Sequence, residues 1–316
     1  MPADERLEKV AVFGAGHVGS TTAFHLAMNA SVDVALNDVE EGRAEGLALD
    51  ISQALAFAGS TSIVKGGSSA VLAADSSVIV VTAGFPRMPG MSRTDLTVKN
   101  SSVVTGICSE IASLAPDAVL IIVTNPVDEM TYDAWKSSGF PERRVMGMAG
   151  VLDTSRFLYF LKEIAELDPR EVTAMVLGSH GDEMVPLPDW STATGVPLSE
   201  KLDAGVLERC VERARDGGAE IVGLLKTGSA YYAPAESIAT MVLAILGDTG
   251  RMLPVSAYAH GEYGIEDVFI GMPSRLGRVG VTEVVELPLS TREIEALRKA
   301  AEAVRSRVTR GPGTNS

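Results

Sequence analysis

His180 closes the apolar stretch VTAMVLGSHGDEMVP, set between small residues. A histidine at a strand end in a glycine-rich turn can take and return a proton near neutral pH. It can equally be a structural histidine with satisfied hydrogen bonds. The other three histidines have blander settings. His17 stands in a glycine turn, His25 within a helical stretch, and His260 in HGEYG, which reads as an exposed hairpin turn. Asp153 and Arg156 are three apart at the start of a helical stretch and so lie on adjacent faces. They form either a local ion pair or a carboxylate and a cation available to a ligand. Two strand ends add candidates. VIVVTAGFPRMPGMSR places Arg87 and Arg93 at either end of a loop rich in Gly and Pro. Such a loop can close over a site and bring cations with it, or lie on the surface with both arginines solvated. VLIIVTNP carries Asn125 just past its apolar run, where it can donate to a substrate oxygen, contact a cofactor, or simply form a turn before Pro126. No His, Cys or acidic cluster has metal-ligand spacing, so no metal is expected.

These residues need a scaffold, and VAVFGAGHVGSTTAFHLAMNASVDVALND (10–38) supplies its first part. Residues 10–13 form an apolar strand-type run. Gly14-Ala15-Gly16-His17-Val18-Gly19 follows, then small and apolar residues at helical spacing, then a second strand ending at Asp38. Gly14 permits a sharp turn, Gly16 lets a pyrophosphate approach the backbone, and Gly19 allows close helix packing. The helix N-terminus favours the phosphates, and Asp38 can accept hydrogen bonds from a ribose. The alternative is a tight glycine turn that binds nothing.

The 316 residues suggest two domains. A net charge of −14, with no basic cluster, argues against nucleic acid or an anionic membrane as partner. It also means that an anionic substrate needs locally gathered arginines. The opening MPADERLEK has no apolar segment of a secretory signal, which points to the cytoplasm. The longest apolar runs fall far short of the ~20 residues that span a bilayer. Cys108 and Cys210 read as free buried thiols.

Strand and helix alternate through the first half: helices over 40–58 and 92–115, strands over 62–65, 77–81 and 118–123. Fully apolar strands belong to a parallel sheet covered on both faces. The expected fold is therefore α/β, a doubly wound parallel sheet of Rossmann type over 1–145. A mixed α+β substrate domain follows over 146–310, then a tail over 311–316. In the second part we expect a helix over 153–165, a strand over 171–177, helices over 199–215, 218–225 and beyond Pro234, and a hairpin pairing 252–259 with 267–272. Ser290 and Glu293 have capping-box spacing at the start of a last helix.

VAVFGAGHVGS, VTAGFPRMPGMSRTDL, IIVTNPVDEMTY, GMAGVLDTSRF, SHGDEMVPLP and KTGSAYYAPAES together resemble the lactate/malate dehydrogenase family, closest to its lactate-dehydrogenase-like malate enzymes. The resemblance covers nearly the whole chain. It implies hydride exchange between malate and NAD, giving oxaloacetate. By the motif match, His180 is the acid/base and Asp153 orients it. Arg156 holds the C1 carboxylate, Arg93 polarises the reacting carbonyl, and Asn125 binds the substrate oxygen. Arg87 stands where the malate enzymes place an arginine for the second carboxylate and the lactate enzymes usually have Gln. The implied cofactor contacts are Gly14, Ala15, Gly16, His17, Val18, Gly19, Asp38, Asn100, Val123, Thr124 and Asn125. Two departures are minor: Thr154-Ser155 replaces the commoner Ser-Ala, and Asn37 precedes the ribose acid. The resemblance further implies a homo-oligomer, a tetramer in preference to a dimer, and a place in the tricarboxylic acid cycle. The alternatives are a lactate or other 2-hydroxyacid dehydrogenase, and a non-catalytic NAD(H)-binding sensor.

Overall fold

The computed structural model describes residues 7–30, 32–86, 93–181 and 183–308, excepting the side chains of 93 and 94. Arg87 and the side chain of Arg93 therefore lie outside the described residues.

The first half alternates β1 (Lys9–Phe13), α1 (His17–Asn29), β2 (Asp33–Asn37), α2 (Glu41–Ala58), β3 (Val64–Gly67) and β4 (Val78–Val81). It continues through α3 (Arg93–Leu114), β5 (Val119–Ile122), α4 (Val127–Ser138) and β6 (Val145–Gly147). The strands lie in the order β3-β2-β1-β4-β5-β6, all parallel. Their residues alternate between two apolar layers. Val10, Val12, Val34, Leu36, Val80 and Ile121 join one core, and Ala11, Phe13, Ile79, Val81, Leu120 and Ile122 the other. This period of two explains the unbroken apolar runs, since both faces are covered by helices.

The second half contains α5 (Gly150–Ala165), β7 (Val172–Thr173), β8 (Val176–Gly178), β9 (Met184–Pro186), β10 (Thr192–Ala193) and β11 (Val196–Pro197). It then runs through α6 (Leu198–Lys201), α7 (Ala204–Leu225), α8 (Tyr232–Leu246), β12 (Arg251–His260), β13 (Glu266–Gly277), β14 (Gly280–Val284) and α9 (Thr291–Val308). The sheet does not stop at β6. Ser256 of β12 pairs antiparallel with Gly147, and the order continues β12-β13-β8-β9 with β14 on β13. The boundary expected at 145 thus falls at the first residue of a strand inside one continuous sheet. β7, β10 and β11 form a separate small sheet.

Several expected elements differ. The strand expected over 171–177 is divided, because β7 joins the small sheet and β8 the large one. The helices expected over 199–215 and 218–225 are the four-residue α6 and one continuous α7; Gly217 and Gly218 do not break it. β3 begins two residues later than expected, at Val64. The hairpin is present, and its strands are longer than expected. The capping box is also present: Ser290 Oγ accepts from the Glu293 N–H at 3.3 Å, and Glu293 Oε2 accepts from the Ser290 N–H at 2.8 Å. Both cysteines are free and buried, and burial pushes the Cys108 thiol up to about 12. Among the described residues, no helix is long and apolar enough to cross a membrane.

Candidate active site

The turn after β1 is shaped to receive an anion. Gly14 has φ +106, a region L side chains rarely adopt. A Cβ at Gly19 would sit 1.8 Å from the Gly14 carbonyl oxygen, so α1 closes onto the turn only without a side chain there. The constraint thus comes from the turn itself more than from the sheet below. A Cβ at Gly16 would meet no protein atom within 4 Å. Gly16 is also the N-cap of α1 and has no side-chain cap, leaving N–H groups and the positive dipole end for a phosphate. A cavity of about 370 Å³ opens here, bordered by Ala15, Gly16, His17, Ser20 and Arg43. The turn is held before any ligand arrives. Asp38 Oδ2 accepts from the Ala15 N–H at 2.6 Å, and Arg43 Nε donates to the Ala15 carbonyl at 2.9 Å. The ring of His17 stacks on Tyr231 at 5.1 Å between centroids. These features fit the pyrophosphate and ribose of a dinucleotide.

His180 lies in the turn between β8 and β9, near the start of α5. Gly150 makes this proximity possible: a Cβ there would come within 2.2 Å of the Val176 carbonyl. Thr154 Oγ1 then accepts from the Val176 N–H at 3.0 Å. α5 begins three residues before the expected start, and Asp153 projects from its first turn. His180 Nδ1 is 2.9 Å from Asp153 Oδ2, and Asp153 Oδ1 accepts from Arg156 Nη1 at 3.4 Å. The Asp153 side chain is only 2 % exposed, so these two contacts are what allow a carboxylate to be buried there. Burial works against the charged His180 ring. The Asp153 carboxylate outweighs it by charge and hydrogen bond, Arg156 opposes, Asp128 adds, and the ring is held above its ordinary pKa. Nε2, the nitrogen not held by Asp153, is left to exchange a proton with a ligand.

A second buried acid stands behind this pair. Asp128 Oδ2 accepts from Ser179 Oγ at 2.7 Å and Oδ1 from Ser256 Oγ at 2.6 Å. Burial first, then the neighbouring Glu129, raises Asp128 to about 6, against the two serines and His180. Sequence reasoning passed over Asp128 because its partners are 51 and 128 residues away.

Residues 8–147 match the profile of the lactate/malate dehydrogenase NAD binding domain, and residues 150–312 that of the lactate/malate dehydrogenase alpha/beta C-terminal domain. The chain belongs to the lactate/malate dehydrogenase family. It is 47 % identical to a malate dehydrogenase of Trichormus variabilis over 313 residues, 99 % of this chain and 97 % of the relative. A malate dehydrogenase of Cryptosporidium parvum has the same fold, with a TM-score of 0.92 and 37 % identity over 96 % of this chain and 98 % of its own. The lactate dehydrogenase of the same organism, solved with lactic acid and nicotinamide adenine dinucleotide, also scores 0.92, at 34 % identity and the same coverage. Backbone likeness therefore does not separate the two substrates within this family.

The family's expected contacts differ in burial. Val123 is half-buried and Asn125 exposed at the end of β5, while Thr124 is buried, its hydroxyl donating to the Ala83 carbonyl at 2.7 Å. Asn100 is buried too. Its amide oxygen accepts from the Phe85 N–H, and its NH₂ group donates to the Phe85 and Asn125 carbonyls. Through these hydrogen bonds Thr124 and Asn100 tie the ends of β4 and β5 together. Arg43, which sequence reasoning did not select, borders the cavity beside the glycine turn. The remaining histidines are elsewhere: His25 pairs with Glu236 at 3.2 Å, and His260, half-exposed, lies 3.6 Å from Glu142.

Proposed function

We propose that the protein is an NAD-dependent malate dehydrogenase, interconverting (S)-malate and oxaloacetate. The observation that carries this reading is the chain His180–Asp153–Arg156, a proton acceptor beside a cation for a carboxylate, in a family whose other half is an NAD binding domain. Bound NAD supplies the acceptor for the hydride that leaves the carbinol carbon. His180 Nε2 takes the hydroxyl proton in the oxidative direction and returns it in reduction. Asp153 fixes the ring and favours its charged form. Arg156 grips the C1 carboxylate with a forked hydrogen bond, Arg93 polarises the carbonyl, and Asn125 binds the substrate oxygen. Gly14, Ala15, Gly16, His17, Val18 and Gly19 seat the pyrophosphate, and Asp38 seats the ribose. Location in the cytoplasm, assembly as a homotetramer and service in the tricarboxylic acid cycle complete the reading. Exposed apolar side chains on α2, Leu49 and Phe57, suit a subunit contact.

Arg87 favours malate over lactate. Oxaloacetate carries a second carboxylate for it, and pyruvate carries a methyl group. Leaving one partner of a buried ion pair alone costs roughly 3–5 kcal/mol, and a partly open loop lowers the low end to ~2 kcal/mol. The preference for oxaloacetate should then be about 30- to 5,000-fold in kcat/KM. The assay follows reduced nicotinamide absorbance with oxaloacetate, with pyruvate and without substrate, in wild type and Arg87→Gln. The ratio should collapse in the variant. An unchanged ratio would assign selection to another residue, and no turnover with any keto acid would favour the NAD(H)-sensor alternative.

A further inference from the structure

We propose that Arg307, near the end of α9, is a positioning residue for catalysis: by bridging Glu129 and Glu183 it fixes the turn that carries His180. The inference rests on His180 being the acid/base.

The turn needs outside support. Gly178 and Gly181 flank Ser179 and His180 with φ of +83 and +98, so its backbone carries little side-chain packing of its own. One side is tied to α4 directly, through Ser179 and Asp128. The other side is tied to the same helix through α9. Arg307 Nη2 and Nη1 reach the two Glu183 oxygens at 3.2 and 3.4 Å, while its Nε donates to Glu129. Consecutive residues of α4, Asp128 and Glu129, therefore hold residues 179 and 183, with His180 between them.

The chemistry of this contact differs from a surface ion pair, which contributes little. The Glu129 side chain is 4 % exposed and that of Arg307 23 %. Without the guanidinium, Glu129 would be an uncompensated buried carboxylate beside Asp128. An apolar pair could fill the space between α4 and α9 equally well. Only a forked cation both satisfies Glu129 and extends to Glu183 on the turn.

The test compares Arg307→Met, Arg307→Lys, Glu183→Gln and the Met/Gln double variant in the full chain. Two readouts are kcat for oxaloacetate reduction and the rate at which diethyl pyrocarbonate modifies His180, mapped by mass spectrometry. Arg307→Met should lower kcat about 10- to 100-fold, the scale of a misplaced catalytic group, with KM for NADH unchanged. It should also speed modification of His180 several-fold, leaving His25 and His260 at wild-type rates. Glu183→Gln should move both readouts the same way by less and add nothing to Arg307→Met, since both break one contact. Arg307→Lys should restore part of each. A lower Tm with kcat and the His180 rate at wild-type values would overturn the proposal in favour of a purely structural contact. Should Arg307→Met not fold, Glu183→Gln decides alone, and wild-type values there overturn it. A wild type that does not reduce oxaloacetate would defeat the functional reading, whereas the His180 modification rate would still decide the clamp.

Discussion

His180 and Asp153 set how the site responds to pH. Reduction of oxaloacetate needs a protonated ring, and oxidation of malate a neutral one. Because Asp153 holds the ring above its ordinary pKa against the burial that opposes it, kcat/KM for reduction should be flat below that raised value and fall tenfold per pH unit above it. Malate oxidation should show the mirror image. Asp153→Asn removes the attraction, so both limbs should move toward acid. A limb that stays in place would assign the titration to a group other than His180. His180→Asn should cost about 10²–10⁴-fold in turnover, the usual share of acid–base catalysis. NADH should still bind in a fluorescence titration, because the glycine turn is untouched. Near-full activity in that variant would move the proton transfer to a different residue.

α7 shows how an element serves the site without touching a substrate. Its glycine pair faces Arg156: a Cβ at Gly218 would lie 3.1 Å from Arg156 Nη2, and one at Gly217 3.3 Å from the Phe160 ring. Gly218→Ala should therefore push the guanidinium by a few tenths of an ångström and raise KM for oxaloacetate several-fold. The same change removes a helix penalty of about 1 kcal/mol, so Tm should hold or rise. A fall in Tm with KM unchanged would show that the pair serves packing and not the site. The sequence reading ends one helix at 215 and starts the next at 218, because glycine's cost in a helix is local, whereas the space the pair leaves beside Arg156 and Phe160 is tertiary. The same contrast runs through the molecule. The glycine turn, Asp38, and the Gly-Ser-His-Gly turn after an apolar run were legible because their residues are neighbours or stand at set spacings. Glu129 and Arg307 are 178 residues apart and carry no such spacing. Thr124 and Asn100 were legible only through the motif match, because the backbone groups they bind, at Ala83, Phe85 and Asn125, are set by the loops packed around them.

At the scale of the whole molecule, cofactor binding should appear as stability. A ligand that binds only the folded state contributes about 2.7 kcal/mol at a hundred times its Kd, so NADH should raise Tm by several degrees. NADPH at the same concentration should raise it far less. Its 2′-phosphate would meet the Asp38 carboxylate, with Glu40 and Glu41 close behind. Equal shifts with the two would remove Asp38 from cofactor selection. The antiparallel pairing of Gly147 with Ser256 has a consequence for anyone wishing to transplant the cofactor half as a cassette. Cut after Gly147, it would bare a strand edge that the native chain covers with β12, and bare edges recruit other chains. Such a fragment should leave a sizing column as self-associated material, and adding a peptide spanning β12 and β13 should return it to smaller species.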